Sequence, residues 1–174
     1  MIKWQKMGIV FACLVIGGIG GCSVVKNDGL DLPLGQEAIA KKGKEFTVII
    51  DGCGAGSGAI VKRERNTYSV LTAYHVVEKK DLNCLIITPD QETYQVKGDT
   101  ITKPVADVDL GVLTFTSDKN YPVAKLGDSE KVVEATSIYV LGVPGSSAAI
   151  SHRTVLFNSG KITGRVPEPK NGYI

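Results

Sequence analysis

The chain has 174 residues, of which 43% are hydrophobic and 22% charged, a globular composition that excludes the disordered and collagen-like classes. Its length suits one domain large enough to bury a core. Lys3 and Lys6 account for the whole formal charge of +2, so residues 22 onward balance 18 basic against 18 acidic side chains, and no charge footprint of a nucleic-acid binder remains.

The first element is an address. Lys3 and Lys6 precede an uncharged run over 7–25, which ends at Lys26. A basic start, an apolar middle and small residues at the end describe a secretory signal. Ile19-Gly20-Gly21-Cys22 resembles a bacterial lipobox, an aliphatic residue and two small ones before a cysteine. That resemblance implies removal of residues 1–21 and acylation of the Cys22 thiol. The alternatives are an ordinary cleaved signal and an uncleaved anchor. The run of 19 residues is near the lower limit for spanning a bilayer, and Gly17, Gly18, Gly20 and Gly21 weaken it as a helix. All three readings place the body outside the cytoplasm, close to a membrane. The expected form is a membrane-anchored lipoprotein on the periplasmic side or cell surface.

The cysteines follow from this. Cys13 lies in the leader, and Cys53 and Cys84 remain as an even pair in a compartment that permits disulfides. They are either bridged or two buried thiols. No CxxC spacing occurs, so neither a zinc nor a redox site is indicated.

Residues 22–42 have the texture of a tether, with a short helical stretch over 36–42. From Phe46 onward, runs rich in Val, Ile, Thr and Tyr alternate with Gly, Pro, Asn and Asp. Strands are expected over 47–51, 57–63, 67–72, 84–88, 93–99, 110–116, 137–143 and 154–162, with a fragment near Tyr173. One helical turn is expected over 76–80, and turns at Arg65-Asn66 and Pro89-Asp90. Short strands at close spacing with almost no helix predict an all-β barrel or sandwich. Lys79, Lys80 and Asp81 read as a solvated turn.

The chain has two histidines. His152 sits in the polar stretch Ser151-His152-Arg153-Thr154 and reads as a surface residue. His75 ends an apolar strand, Leu71-Thr72-Ala73-Tyr74-His75-Val76-Val77, where a buried ring would need a polar partner. Upstream lies Gly56-Ser57-Gly58-Ala59-Ile60-Val61, and downstream Asp107-Val108-Asp109-Leu110-Gly111-Val112-Leu113. In that order the three segments resemble the trypsin/chymotrypsin-fold serine peptidases. The likeness is nearest to bacterial extracytoplasmic members, small cyanobacterial trypsin-like proteins among them. It runs from about Phe46 to the C-terminus and includes Leu126-Gly127-Asp128-Ser129 and Val140-Leu141-Gly142-Val143-Pro144-Gly145.

The resemblance implies a double β-barrel, a polypeptide substrate and no cofactor or metal. It makes His75 the general base and Asp109 the acid that orients it, although 34 residues separate them and only the fold can join them. Asp107 is the rival acid, and Asp109 is preferred because it directly precedes the aliphatic strand. The nucleophile is a different matter. No serine after Asp109 stands in a turn resembling G-x-S-G-G, and Ser57 precedes His75 and leads into a strand, unlike the serine of a nucleophile elbow. The chain is therefore expected to be C-terminally truncated and inactive alone. The expected layout is a signal over 1–21, a tether over 22–42, a first barrel over 43–120 and an incomplete second barrel over 121–174. The incomplete barrel would expose unpaired strand edges, open to pairing with a missing C-terminal segment. The alternative is a non-catalytic peptide-binding or scaffold lipoprotein.

Overall fold

The computed structural model describes residues 35–79, 83–144 and 153–164. The predicted leader, Cys22, His152 and the fragment near Tyr173 lie outside the described residues. Among those described, no helix is long and apolar enough to cross a membrane.

The chain enters through helix α1 (Gln36–Lys44), longer by two residues than expected, with Lys41, Lys42 and Lys44 in its last turn beside the negative end of the helix dipole. Strands β1 (Thr47–Asp51), β2 (Gly56–Glu64) and β3 (Thr67–Thr72) follow as an antiparallel meander. A two-residue turn joins β2 to β3, with Arg65 at φ 56°, as tight hairpins require. Helix α2 (Tyr74–Val77) comes next, then β4 (Cys84–Ile87), β5 (Thr93–Val96) and β6 (Gly111–Thr116). These six strands form one sheet in the order β5-β4-β1-β2-β3-β6. Beyond β5, Thr102 exchanges backbone hydrogen bonds with Val112 of β6 at 2.8 and 2.9 Å, which brings the two ends of the sheet together. The result is a nearly closed barrel.

Alternation puts the apolar set inside. Tyr68, Val70 and Thr72 of β3 point inward, as do Cys84 and Ile86 of β4 and Leu113 and Phe115 of β6. An irregularity between Ile60 and Lys62 shifts the register of β2 against β3. The shift lets Ile60 stay fully buried while Lys62 and Arg63 reach solvent. Tyr68 stacks on Phe115 with ring centroids 5.1 Å apart, and Tyr121 meets Tyr68 edge-on at 5.5 Å. The Tyr68 hydroxyl donates to Lys119 O at 2.8 Å and accepts from Tyr121 N–H at 3.2 Å, so the segment after β6 is tied to the barrel interior.

A polar cluster fastens the same corner. The Asp90 carboxylate accepts from Thr88 Oγ1 at 2.6 Å, Lys119 Nζ at 2.8 Å and the Tyr121 hydroxyl at 3.2 Å. Lys119 also reaches Glu92 at 2.7 Å. Burial pushes the Asp90 carboxyl up, but its donors, led by Lys119, outweigh burial and hold it at about 2. The hydrogen bond to Asp90, with that to Glu92, raises Lys119. Burial pushes the Tyr121 hydroxyl up to about 12, helped by its hydrogen bond with Tyr94.

Strands β7 (Ser137–Gly142) and β8 (Leu156–Lys161) form a second, two-stranded sheet. Tyr139 stacks on Phe157 at 5.4 Å, and Leu141 packs where Gly43 of α1 leaves room. Hydrogen bonds from segments flanking this sheet join it to the barrel. Val143 N–H donates to Ser57 Oγ at 3.2 Å, and Arg153 donates to Ile50 O at 3.1 Å while pairing with Asp51 at 2.9 Å. All of this is a trypsin-like all-β architecture, as the sequence predicts.

Three local expectations need correction. The strand expected over 93–99 stops at Val96, because Gly98–Thr100 turns as a 3-10 helix. The strand expected over 154–162 is shorter, Leu156–Lys161. The helical turn expected over 76–80 begins at Tyr74, so His75 stands on α2 and not on the end of the strand.

Candidate active site

Ala73 leaves β3 in extended conformation, and the chain then makes the single turn of α2. Val76 and Val77 of that turn are buried, which rolls His75 to the opposite, outer side. Asp109 arrives from the other direction, two residues before β6. Leu110 N–H bonds back to Val108 O at 2.8 Å, a three-residue turn centred on Asp109 that precedes the strand.

The two side chains meet. The ring Nδ1 of His75 lies 2.6 Å from Asp109 Oδ2, and the backbone N–H of His75 donates to Asp109 Oδ1 at 2.9 Å. A carboxylate only accepts, so Nδ1 is the donor in this pair, and among the described residues nothing bonds Nε2. The carboxylate is the more buried partner, with its side chain 20% exposed against 64% for His75. The acid is thus partly sheltered, and the ring is largely exposed among the described residues. Asp107, the rival acid, is exposed two residues upstream and makes no hydrogen bond to the ring.

The hydroxyl of Ser57 is engaged elsewhere. It accepts from Val143 N–H at 3.2 Å, while the Ser57 carbonyl accepts from Thr72 Oγ1 at 2.8 Å. Among the described residues no serine hydroxyl bonds the His75 ring. A disulfide joins Cys53 to Cys84, with Cα atoms 4.6 Å apart and both residues buried. Among the described residues, no group of three His, Cys, Asp or Glu side chains is placed to hold a metal ion. Lys103 lies over the Tyr74 ring, 5.2 Å from its centroid, next to the pair. Sequence reasoning missed that contact, as it missed the Asp90 cluster; neither carries a local motif.

A histidine ring held by a half-buried carboxylate on one nitrogen is an arrangement that can serve general acid–base transfer. No curated protein matches the chain. The family model described as trypsin-like peptidase domain matches residues 56–174, a span that contains both His75 and Asp109. The chain belongs to the family of trypsin-like peptidase domains.

Proposed function

We propose that the chain supplies the base and orienting acid of a serine endopeptidase, held outside the cytoplasm by a lipid on Cys22. The observation that carries this reading is the double hydrogen bond of His75 to Asp109, with no hydrogen bond to Nε2 among the described residues. His75 Nε2 takes the proton of a serine hydroxyl as the oxygen attacks the peptide carbonyl, then returns it to the leaving amine. Asp109 keeps the proton on Nδ1 and stabilises the imidazolium between those steps.

The serine comes from elsewhere. No G-x-S-G-G turn occurs in the 174 residues, so this reading places the nucleophile and its oxyanion hole outside them and expects no hydrolysis by them alone. Among the described residues β7 and β8 pair only with each other, and Val140 and Leu156 remain 56% and 38% exposed. That supports a second sheet open to a further strand, which a serine-bearing C-terminal segment would provide. The Ile19-Gly20-Gly21-Cys22 motif supports the lipid anchor.

A second reading, a non-catalytic peptide-binding or scaffold lipoprotein, is favoured by the same absent serine turn. The coding sequence beyond Ile174 separates the two. A G-x-S-G-G turn within about 60 residues, an ordinary extension for one domain, supports the endopeptidase, provided a fluorophosphonate labels the longer product and loses it in His75→Ala. A stop codon with no such remnant overturns the endopeptidase in favour of the scaffold. Labelling of the 174-residue chain itself would refute the missing nucleophile.

A further inference from the structure

Helix α2 is four residues long. A single turn has almost no cooperative stability of its own, so the direction in which it aims His75 is set by what packs against it. On one side is β6, where a Cβ added at Gly111 would stand 3.2 Å from Tyr74 Cα and 3.0 Å from Val77 Cγ2. On the other side is the turn over 52–55 that leads from β1 into β2. A Cβ added at Gly54 would overlap the carbonyl oxygen of Val76, the residue directly after His75. The backbone of α2 therefore rests on the bare Cα of Gly54, and any shift of this turn is passed to His75. Asp109 belongs to the opposite side, next to β6, and would not follow.

The turn pairs with no strand, and its position depends on three ties. Gly52 N–H bonds Asp51 Oδ1 at 2.7 Å and Cys53 N–H bonds Asp51 O at 3.0 Å. Arg153, reaching over from the segment before β8, holds Asp51 Oδ1 at 2.9 Å and Ile50 O at 3.1 Å. The third tie is covalent. Cys53 is bonded to Cys84, the first residue of β4, and β4 pairs with β1 in the barrel wall. Gly52, at φ 81°, passes so close to Asn83 O that a side chain there would collide with it, so the turn lies directly against the entry to β4.

We propose that the Cys53–Cys84 bridge is a positioning element: it fixes the Gly54 turn as the floor under α2 and so holds His75 in register with Asp109. Cys53 and Cys84 are positioning residues, acting through Gly54 and Val76. The functional meaning of this role rests on the base-and-acid reading of the pair, but the geometry it predicts does not. The tolerance is small, since a displacement of about 1 Å at a catalytic group costs on the order of 10²-fold in rate.

The test reads the pair and not peptide hydrolysis, so it can fail while the peptidase reading stands, and the reverse. In the ¹⁵N-labelled full chain, the proton shared by His75 Nδ1 and Asp109 gives a downfield imidazole resonance. It is assigned by its absence in His75→Gln and its persistence in His152→Gln. In the Cys53→Ala/Cys84→Ala double variant, exchange of that proton with water is expected to quicken at least about tenfold while the core methyl resonances keep their positions. An unchanged exchange rate overturns the proposal. If the core resonances collapse as well, Gly54→Ala decides with the bridge intact. It is expected to quicken the same exchange, whereas Gly127→Ala, which opens onto free space, leaves it unchanged. A Gly54→Ala protein with the parent exchange rate overturns the positioning role.

Discussion

The Asp109 carboxylate receives two hydrogens from one residue, the backbone N–H of His75 at 2.9 Å and its ring Nδ1–H at 2.6 Å. The first bond fixes where the helix turn begins, and the second fixes how the ring is rotated. One side chain therefore sets both the position and the tautomer of the proposed base.

Asp109→Asn should undo the second of these. An amide can present its NH₂ to Nδ1, which moves the ring proton to Nε2 and blocks the lone pair that takes the serine proton. In the serine-complemented enzyme, kcat should fall by about 10⁴ with little change in KM, the cost of a wrong tautomer. Asp107→Asn, at an exposed position away from the ring, should stay within about twofold in kcat, as surface changes remote from a site do. Comparing steady-state kinetics of the two variants checks the choice between the acids.

Tyr68→Phe should destabilise the barrel by about 1–3 kcal/mol, because the lost hydroxyl leaves Lys119 O and Tyr121 N–H without that partner inside the core. The aromatic stack on Phe115 is kept, so the loss isolates the hydrogen bonds. Urea unfolding followed by fluorescence should show a lower midpoint at unchanged slope.

Acid should weaken the same corner through Asp90. Its carboxyl sits at about 2 in the folded protein against an ordinary 3.8. A lowered carboxylate stabilises the fold fully above its ordinary value, and that contribution is lost as pH falls through the folded value. Asp90→Asn should therefore lower Tm above about pH 4, with the gap to the parent shrinking towards pH 2. Thermal unfolding across that range measures it; a gap independent of pH would mean that the carboxylate charge does not act there.

How much of this was legible in the sequence depends on whether a feature is local. The strand Thr67–Thr72 could be read because Tyr68, Val70 and Thr72 alternate with outward residues, and alternation is a local property. His75 and Asp109 could be singled out by the strand contexts on either side, and the fold brings them together. The start of α2 could not be read, since it depends on burying Val76 and Val77 against the glycines of β2 and β6. The Asp90 cluster was invisible for a related reason. Asp90 and Lys119 are 29 residues apart, in loops with no repeating pattern, and meet only when the barrel closes. The pairing of β7 with β8 was equally hidden, because alternation predicts strands without naming partners.

Cys22→Ala should release the protein from membranes. In cells that process lipoproteins, the parent should fractionate with membranes and carry an N-terminal acylated cysteine by mass spectrometry. The variant should lose both the acyl mass and the membrane fraction. A parent protein that keeps residues 1–21 would sink the lipobox reading and leave the anchor alternative.

The most direct test of the central claim is the protonation pattern of the His75 ring. Nitrogen-15 spectra of the neutral ring should show a proton on Nδ1 and a bare Nε2, with the pattern lost in Asp109→Ala. A neutral ring protonated on Nε2, or one unchanged by removal of the Asp109 carboxylate, would contradict the account.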